Sequence, residues 1–210
     1  MTTNHNQNLL QLRFIAQPHI DAVKPTFNHL PDNPYADGAF RKRRYSVVKF
    51  DGEQVQLQPT KAFVQDGSIN TFQGNVERVY ENLTEDLLHS DGFKHLLSQF
   101  KAMTGINDER AIEVHQFRML AIESDTPPAP EGIHQDGFDH VCVCGVSHHN
   151  LQGGELLVYE NKDVEPCFKM EIKDGLFALI NDREVWHNAT PMNKIKADEI
   201  GYLDCFVFTA

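Results

Sequence analysis

The sequence predicts an α+β fold, with a helical first half packed on a β-sandwich or jelly roll built from the second half. Three observations predict it. Between Gly74 and Phe100, apolar residues recur at helical spacing. From Ala111 onward the pattern changes to about seven short strand-like segments separated by Gly, Asn, Asp and Pro. The chain has 210 residues, 40% of them hydrophobic and 14 of them Phe, enough for one proper core. No internal repeat and no linker divides it, so a single domain over residues 1–210 is expected.

Residues 1–8 are polar and expected to fray. From Leu9 to Val23, the positions of Leu9, Leu12, Ile15, Ala16 and His19 suit a short helix, interrupted by Pro18, on the outside of the sheet. Pro31-Asp32-Asn33-Pro34 and Asp37-Gly38 are turn chemistry. The basic run Arg41-Lys42-Arg43-Arg44 reads as a solvated strand start, with ligand capture as the other reading. Residues 45–50 and 54–58 alternate around Asp51-Gly52 and predict a β-hairpin. Val76, Val79, Tyr80, Leu83, Leu87 and Leu88 form one apolar stripe. Ser90-Asp91-Gly92 breaks it, and Phe93, Leu96, Leu97 and Phe100 form the next. Two helices follow, as scaffold against the sheet.

Strands are expected over residues 112–122, 138–146, 154–159, 167–172, 176–180, 184–187 and 202–209. In the first, Gln116, Arg118 and Leu120 share one face and His115 and Phe117 the other. A mid-strand arginine is costly unless paired. Arg118 either bridges to one of the 30 acidic residues or turns inward to grip a carboxylate with two parallel hydrogen bonds. His148 and His149 sit in a polar turn and read as surface residues. Gly153-Gly154 suggests close backbone approach near a site.

The net charge of −11 argues against a nucleic-acid footprint and against a polybasic membrane anchor. No run approaches the length of a membrane span, and MTTNHNQNLL lacks the charged and apolar regions of a signal peptide. A cytoplasmic protein acting on a small molecule is expected. Its oligomeric state is left open, a homodimer being one arrangement. Cys142, Cys144, Cys167 and Cys205 lack zinc-type spacing and read as small buried residues in a reducing compartment.

The chemistry concentrates in Pro130-Glu131-Gly132-Ile133-His134-Gln135-Asp136-Gly137. On an extended strand His134 and Asp136 point to the same face and can reach one ion. An HxD pair alone also occurs in polar turns. Here a strand-like run, then Gly153-Gly154-Glu155, then Trp186-His187 at a strand end follow it. This order suits a double-stranded β-helix that brings His187 to the pair. Two histidines and one carboxylate leave three octahedral positions open, the ligand set of non-haem Fe(II) oxygenases. Trp186 points away from His187 and is expected in the core.

PEGIHQDG, GGELLVYE, WHNATP and the closing GYLDCFVFTA resemble the bacterial 2-oxoglutarate-Fe(II) dioxygenase family. That family includes free L-isoleucine hydroxylases and a biofilm-stress-and-motility group. The resemblance runs from about Arg41 to the C-terminus. It implies a double-stranded β-helix (jelly-roll, cupin-like) core, with His134, Asp136 and His187 as iron ligands and catalytic centre. It implies Fe(II) with 2-oxoglutarate as co-substrate, and hydroxylation of an aliphatic carbon of a small polar metabolite such as a free L-amino acid. Asp139 and Glu155 could meet the α-ammonium group.

One position departs from the pattern. The family holds the far carboxylate of 2-oxoglutarate with an arginine on the last strand, in a GYRD-like stretch. Leu203 stands there, in Gly201-Tyr202-Leu203-Asp204. The resemblance of HQxR to a recurrent family stretch makes Arg118 the expected replacement, with Arg183 second. The alternatives are an iron oxygenase with another co-substrate, or a non-catalytic or regulatory metal-binding jelly roll of the stress and biofilm type.

Overall fold

In the computed structural model, residues 8–59, 62–67 and 72–210 are described. The expected fraying of residues 1–8 therefore falls, Asn8 apart, outside the described residues. Strand β1 (Leu10–Phe14) precedes helix α1 (Gln17–Val23) and a 3-10 turn over Lys24–His29. Next come β2 (Arg41–Phe50), β3 (Val55–Leu57), α2 (Glu85–His89) and α3 (Asp91–Thr104). The second half carries β4 (Ile112–Leu120), β5 (His140–His149), β6 (Leu151–Gly153), β7 (Glu155–Tyr159) and β8 (Phe168–Glu171). It ends with β9 (Leu176–Asn181), β10 (Trp186–Ala189), β11 (Met192–Lys194) and β12 (Tyr202–Thr209).

Seven strands form one antiparallel sheet in the order β1-β9-β5-β12-β4-β2-β3. Opposite it lie β10-β7-β8 and the short pair β11-β6. This is the expected double-stranded β-helix with helices packed on its larger sheet. Strand alternation sorts the side chains. Phe206, Phe208, Cys142, Cys144 and Val114 turn outward and pack under Phe27, Leu87, Phe93, Leu96 and Phe100 of the helical layer. Leu203, Cys205, Val143, Met119 and Ala178 turn inward and meet Leu156, Val158, Val185 and Met192 from the smaller sheets. Burying this many large apolar groups on both faces fixes the register, since a one-residue slip would exchange the two sets.

Four local expectations are corrected. Residues 10–14 are not helical: Leu10, Leu12 and Phe14 alternate as an edge strand paired to Ile180, Ala178 and Leu176. The first apolar stripe is helical only from Glu85. Phe63 and Arg78 form an antiparallel bridge, Val76 and Val79 are exposed, and the helix begins where Thr84 caps the amide of Leu87. Trp186 is half-buried, with the Lys162 ammonium 4.1 Å from its ring centroid, and Cys167 is exposed. The 45–58 hairpin forms, with Phe50 paired to Val55 and the Asp51 carboxylate accepting from the amides of Glu53 and Gln54.

Candidate metal centre and its pocket

His134 and His187 are brought together by the backbone. The His134 amide donates to the His187 carbonyl at 3.0 Å, and the His187 amide to the His134 carbonyl at 2.8 Å. This antiparallel bridge sets the two rings side by side, centroids 4.3 Å apart. Asp136, two residues on, reaches both: its carboxylate oxygens lie 3.6 Å from His134 Nε2 and 3.4 Å from His187 Nε2. One ligand atom from each of the three residues falls within 4.8 Å of the others. The spacing and burial suit a single ion.

The rings are oriented from behind. His134 Nδ1 lies 2.8 Å from the Gly132 carbonyl, which can only accept, so the proton sits on Nδ1 and the Nε2 lone pair faces Asp136. Gly132 has φ +78°, the left-handed backbone that favours glycine. Behind the metal segment lies Asp182. Its carboxylate accepts from the amides of Asp136, Gly137 and Phe138 at 3.1, 2.8 and 3.2 Å. It also lies 3.4 Å from His187 Nδ1, an ion-pair contact short of an aligned hydrogen bond. Burial alone would push the Asp136 carboxyl up, but His187, then His134, hold it well below the usual carboxylate range. Burial lowers the His187 pKa, and Asp136 and Asp182 outweigh it, raising the value to about 10.

Asp182 was not singled out from the sequence, where it falls between the strands expected over residues 176–180 and 184–187. Its signal is a carboxylate in the turn just before the Trp-His strand end. Asp182→Ala is expected to weaken metal affinity by about 10- to 100-fold, as outer-sphere partners of ligating histidines do. Calorimetric titration of apo-protein with a divalent ion would show it.

The pocket beside the three residues is walled by Phe63, Phe72, Phe117, Phe138, Val143 and Leu156. Cys205, Val207 and Thr209 supply its face on β12, while Leu203 is fully buried in the apolar core. The two arginines expected to anchor a carboxylate lie elsewhere. Arg118 is on the outer face with Gln116, donating from Nε and an Nη to the two oxygens of Asp204, both at 2.7 Å. It stacks on Tyr202 in a cleft under the 3-10 turn, the surface-bridge alternative of the two readings. Arg183 is in the turn before β10, largely exposed and paired with Asp139. Instead the cations lining the pocket are Arg41, Arg43 and Arg78. Arg41 and Arg43 belong to the basic run read as solvated. Strand alternation turns both inward, and only Lys42 and Arg44 keep surface partners, Asp32 and Glu81.

The donor set fits Fe(II): two imidazoles and a carboxylate, partly hydrogen-bonded from behind, with one side open to the pocket. The 2OG-Fe dioxygenase family model matches residues 24–209. Solved structures share the fold. A bsmA homolog from Methylobium petroleophilum PM1 superposes with TM-score 0.78 at 24% identity, covering 93% of this chain and 81% of that one. IDO from Bacillus thuringiensis gives 0.72 at 17%, over 94% and 92%. The Fe(II)/α-ketoglutarate-dependent dioxygenase TqaL gives 0.70 at 15%, over 96% and 82%. No curated protein matches the chain. Fe(II) and 2-oxoglutarate are the cofactor and co-substrate that the family match implies. Because that match spans nearly the whole chain, the protein belongs to the 2OG-Fe dioxygenase family and is a 2-oxoglutarate-dependent non-haem iron dioxygenase.

Proposed function

We propose that this single-domain enzyme hydroxylates an aliphatic carbon of a small polar metabolite, with a free L-amino acid as the substrate class. This is the activity of the free L-isoleucine hydroxylases that its motifs resemble. The observation that carries the reading is the pocket wall. Apolar Phe72, Phe138 and Val207 can take an aliphatic side chain, and Glu131, 12% exposed, offers a carboxylate to an ammonium group. Glu131 Oε1 lies 3.5 Å from His134 Nε2, so a molecule held there sits beside the metal ligands. Asp139 and Glu155, the acids first considered for this role, are paired with Arg183 and Lys169 and do not line the pocket.

In this reading His134, Asp136 and His187 hold the iron and Asp182 keeps the segment and the His187 ring in place. Iron and 2-oxoglutarate, when bound, would supply the oxidising power, with one oxygen atom of O2 ending in succinate as CO2 is lost and the other in the hydroxylated substrate. The chain's part is position and exclusion of water, which the aromatic wall provides. No described helix is long and apolar enough to cross a membrane. The acidic composition and free cysteines support a cytoplasmic setting and a small-molecule partner rather than nucleic acid.

The test is a screen of free L-amino acids with Fe(II), 2-oxoglutarate and O2, following succinate release and product mass. One or more aliphatic amino acids should give a product heavier by one oxygen atom, with succinate in equal amount. Succinate release that no amino acid stimulates would overturn the substrate class. Metal binding with no turnover of 2-oxoglutarate would favour the regulatory alternative.

A further inference from the structure

Two guanidinium groups are buried in the pocket, and Asp37, a carboxylate whose charge reaches Arg43, is itself paired with Arg41. Arg43 and Arg78 are each 2% exposed. Among the described residues no carboxylate lies within ion-pair distance of either, whereas Arg41 beside them is neutralised by Asp37 at 2.8 Å. Arg78 is held by Gln65 Oε1 at 3.2 Å, and Arg43 Nη2 donates to His115 Nδ1 at 2.6 Å. The Nε atoms of both are buried without a partner. The two share a ring: the Arg43 and Arg78 carbons are 5.4 and 4.7 Å from the Phe63 centroid, and Tyr80 lies 4.0 Å from Arg43. Aromatic faces attract cations but do not cancel them. Like charges held together out of water are unfavourable, and burial lowers the Arg43 pKa to about 9. An anion bound against the pair would relieve this cost.

The chemistry next to it needs one. The same pocket is lined by His134, Asp136 and His187, and a dicarboxylate enclosed in it would need a cation for the carboxylate that does not reach the metal ligands. The inward side chains of the last strand are Leu203, Cys205, Val207 and Thr209, none of them charged. Arg43 is aligned with Phe117, and Phe117 with Cys205, so Arg43 faces the same interior from two strands away. His115, one step nearer Asp136, accepts from Arg43 through Nδ1. Its proton is therefore on Nε2, the nitrogen turned away from Arg43.

We propose that Arg43 and Arg78, with His115 beside them, form the subsite for the distal carboxylate of 2-oxoglutarate, replacing the cation that Leu203 cannot supply. The inference rests on 2-oxoglutarate being the co-substrate and deepens the function above. A substrate carboxylate would suit the same chemistry. Depth favours the co-substrate, since both guanidinium groups are almost fully enclosed.

The test uses the full chain loaded anaerobically with Fe(II). Affinity for 2-oxoglutarate is compared with that for 2-oxopentanoate, which has the same length but no distal carboxylate, by calorimetry and by the visible charge-transfer band. The wild type should prefer 2-oxoglutarate by about 10- to 100-fold, the value of charge-assisted hydrogen bonds to one carboxylate. Arg43→Gln and Arg78→Gln should each reduce that preference, leave 2-oxopentanoate binding unchanged, and shrink the rise in Tm that 2-oxoglutarate produces. Arg43→Lys keeps the charge and covers the case in which Arg43→Gln does not fold; it should retain part of the preference. An undiminished preference in both glutamine variants overturns the proposal, as does its loss in Arg41→Gln alone. Equal binding of both keto acids by the wild type overturns the subsite but not the family assignment; binding of neither overturns both. If the variants instead lose only amino-acid affinity, the subsite belongs to the substrate and the proposal fails.

Discussion

Asp136→Ala is expected to abolish substrate-dependent succinate release, a drop of about a thousandfold or more, because the ion contributes several kcal/mol to the reaction. The fold should survive. The bridge that pairs residues 134 and 187 is made by backbone groups, and the Asp182 contacts run to the amides of residues 136–138 rather than to the Asp136 side chain. Iron content after anaerobic loading should fall with activity while the circular dichroism spectrum is kept. Release at the wild-type rate would remove Asp136 from the ligand set.

Arg118→Ala should act on stability and not on the co-substrate. Asp204 is 1% exposed in its side chain and is held by two charge-assisted hydrogen bonds from Arg118. Removing the guanidinium leaves that carboxylate buried and unpaired, at a cost of about 3–5 kcal/mol. Burial pushes the Asp204 carboxyl up even in the intact pair. Without Arg118 its folded pKa rises further above the unfolded value, so the group's contribution is intact below the unfolded pKa and lost as pH rises. The deficit should therefore be smaller in mildly acidic buffer than at neutral pH. Denaturant melts at the two pH values check the sign, and an unchanged Kd for 2-oxoglutarate checks the location. A variant of normal stability that lost 2-oxoglutarate would return Arg118 to the pocket.

The grouping of His134, Asp136 and His187 was legible in the sequence because it is largely local. His134 and Asp136 are two residues apart, and His187 stands at the end of a short apolar strand. The sheet was legible because the inner and outer faces of β5 and β12 both carry apolar side chains. What could not be read depends on partners distant in the chain. Residues 10–14 become a strand only because β9 has a free edge for them. Asp182 matters because the metal segment folds across its carboxylate. Arg43 was read as solvated since nothing in Arg41-Lys42-Arg43-Arg44 tells which member will be enclosed by Phe63, Tyr80 and Phe117. Arg118 went to Asp204 because those two residues are directly opposed across β4 and β12, a register that neither strand reveals alone.

The backbone bridge between His134 and His187 has a consequence for which ion the enzyme carries. Ligands fixed by main-chain hydrogen bonds are in place before any metal arrives, so the site does little to sort ions through the work of assembling itself. Two imidazoles and a carboxylate follow the Irving–Williams order, in which Ni2+ and Cu2+ outrank Fe2+. Ni2+ and Cu2+ are therefore expected to compete with Fe2+ for these three side chains, which metal-competition titration of the apo-protein would show.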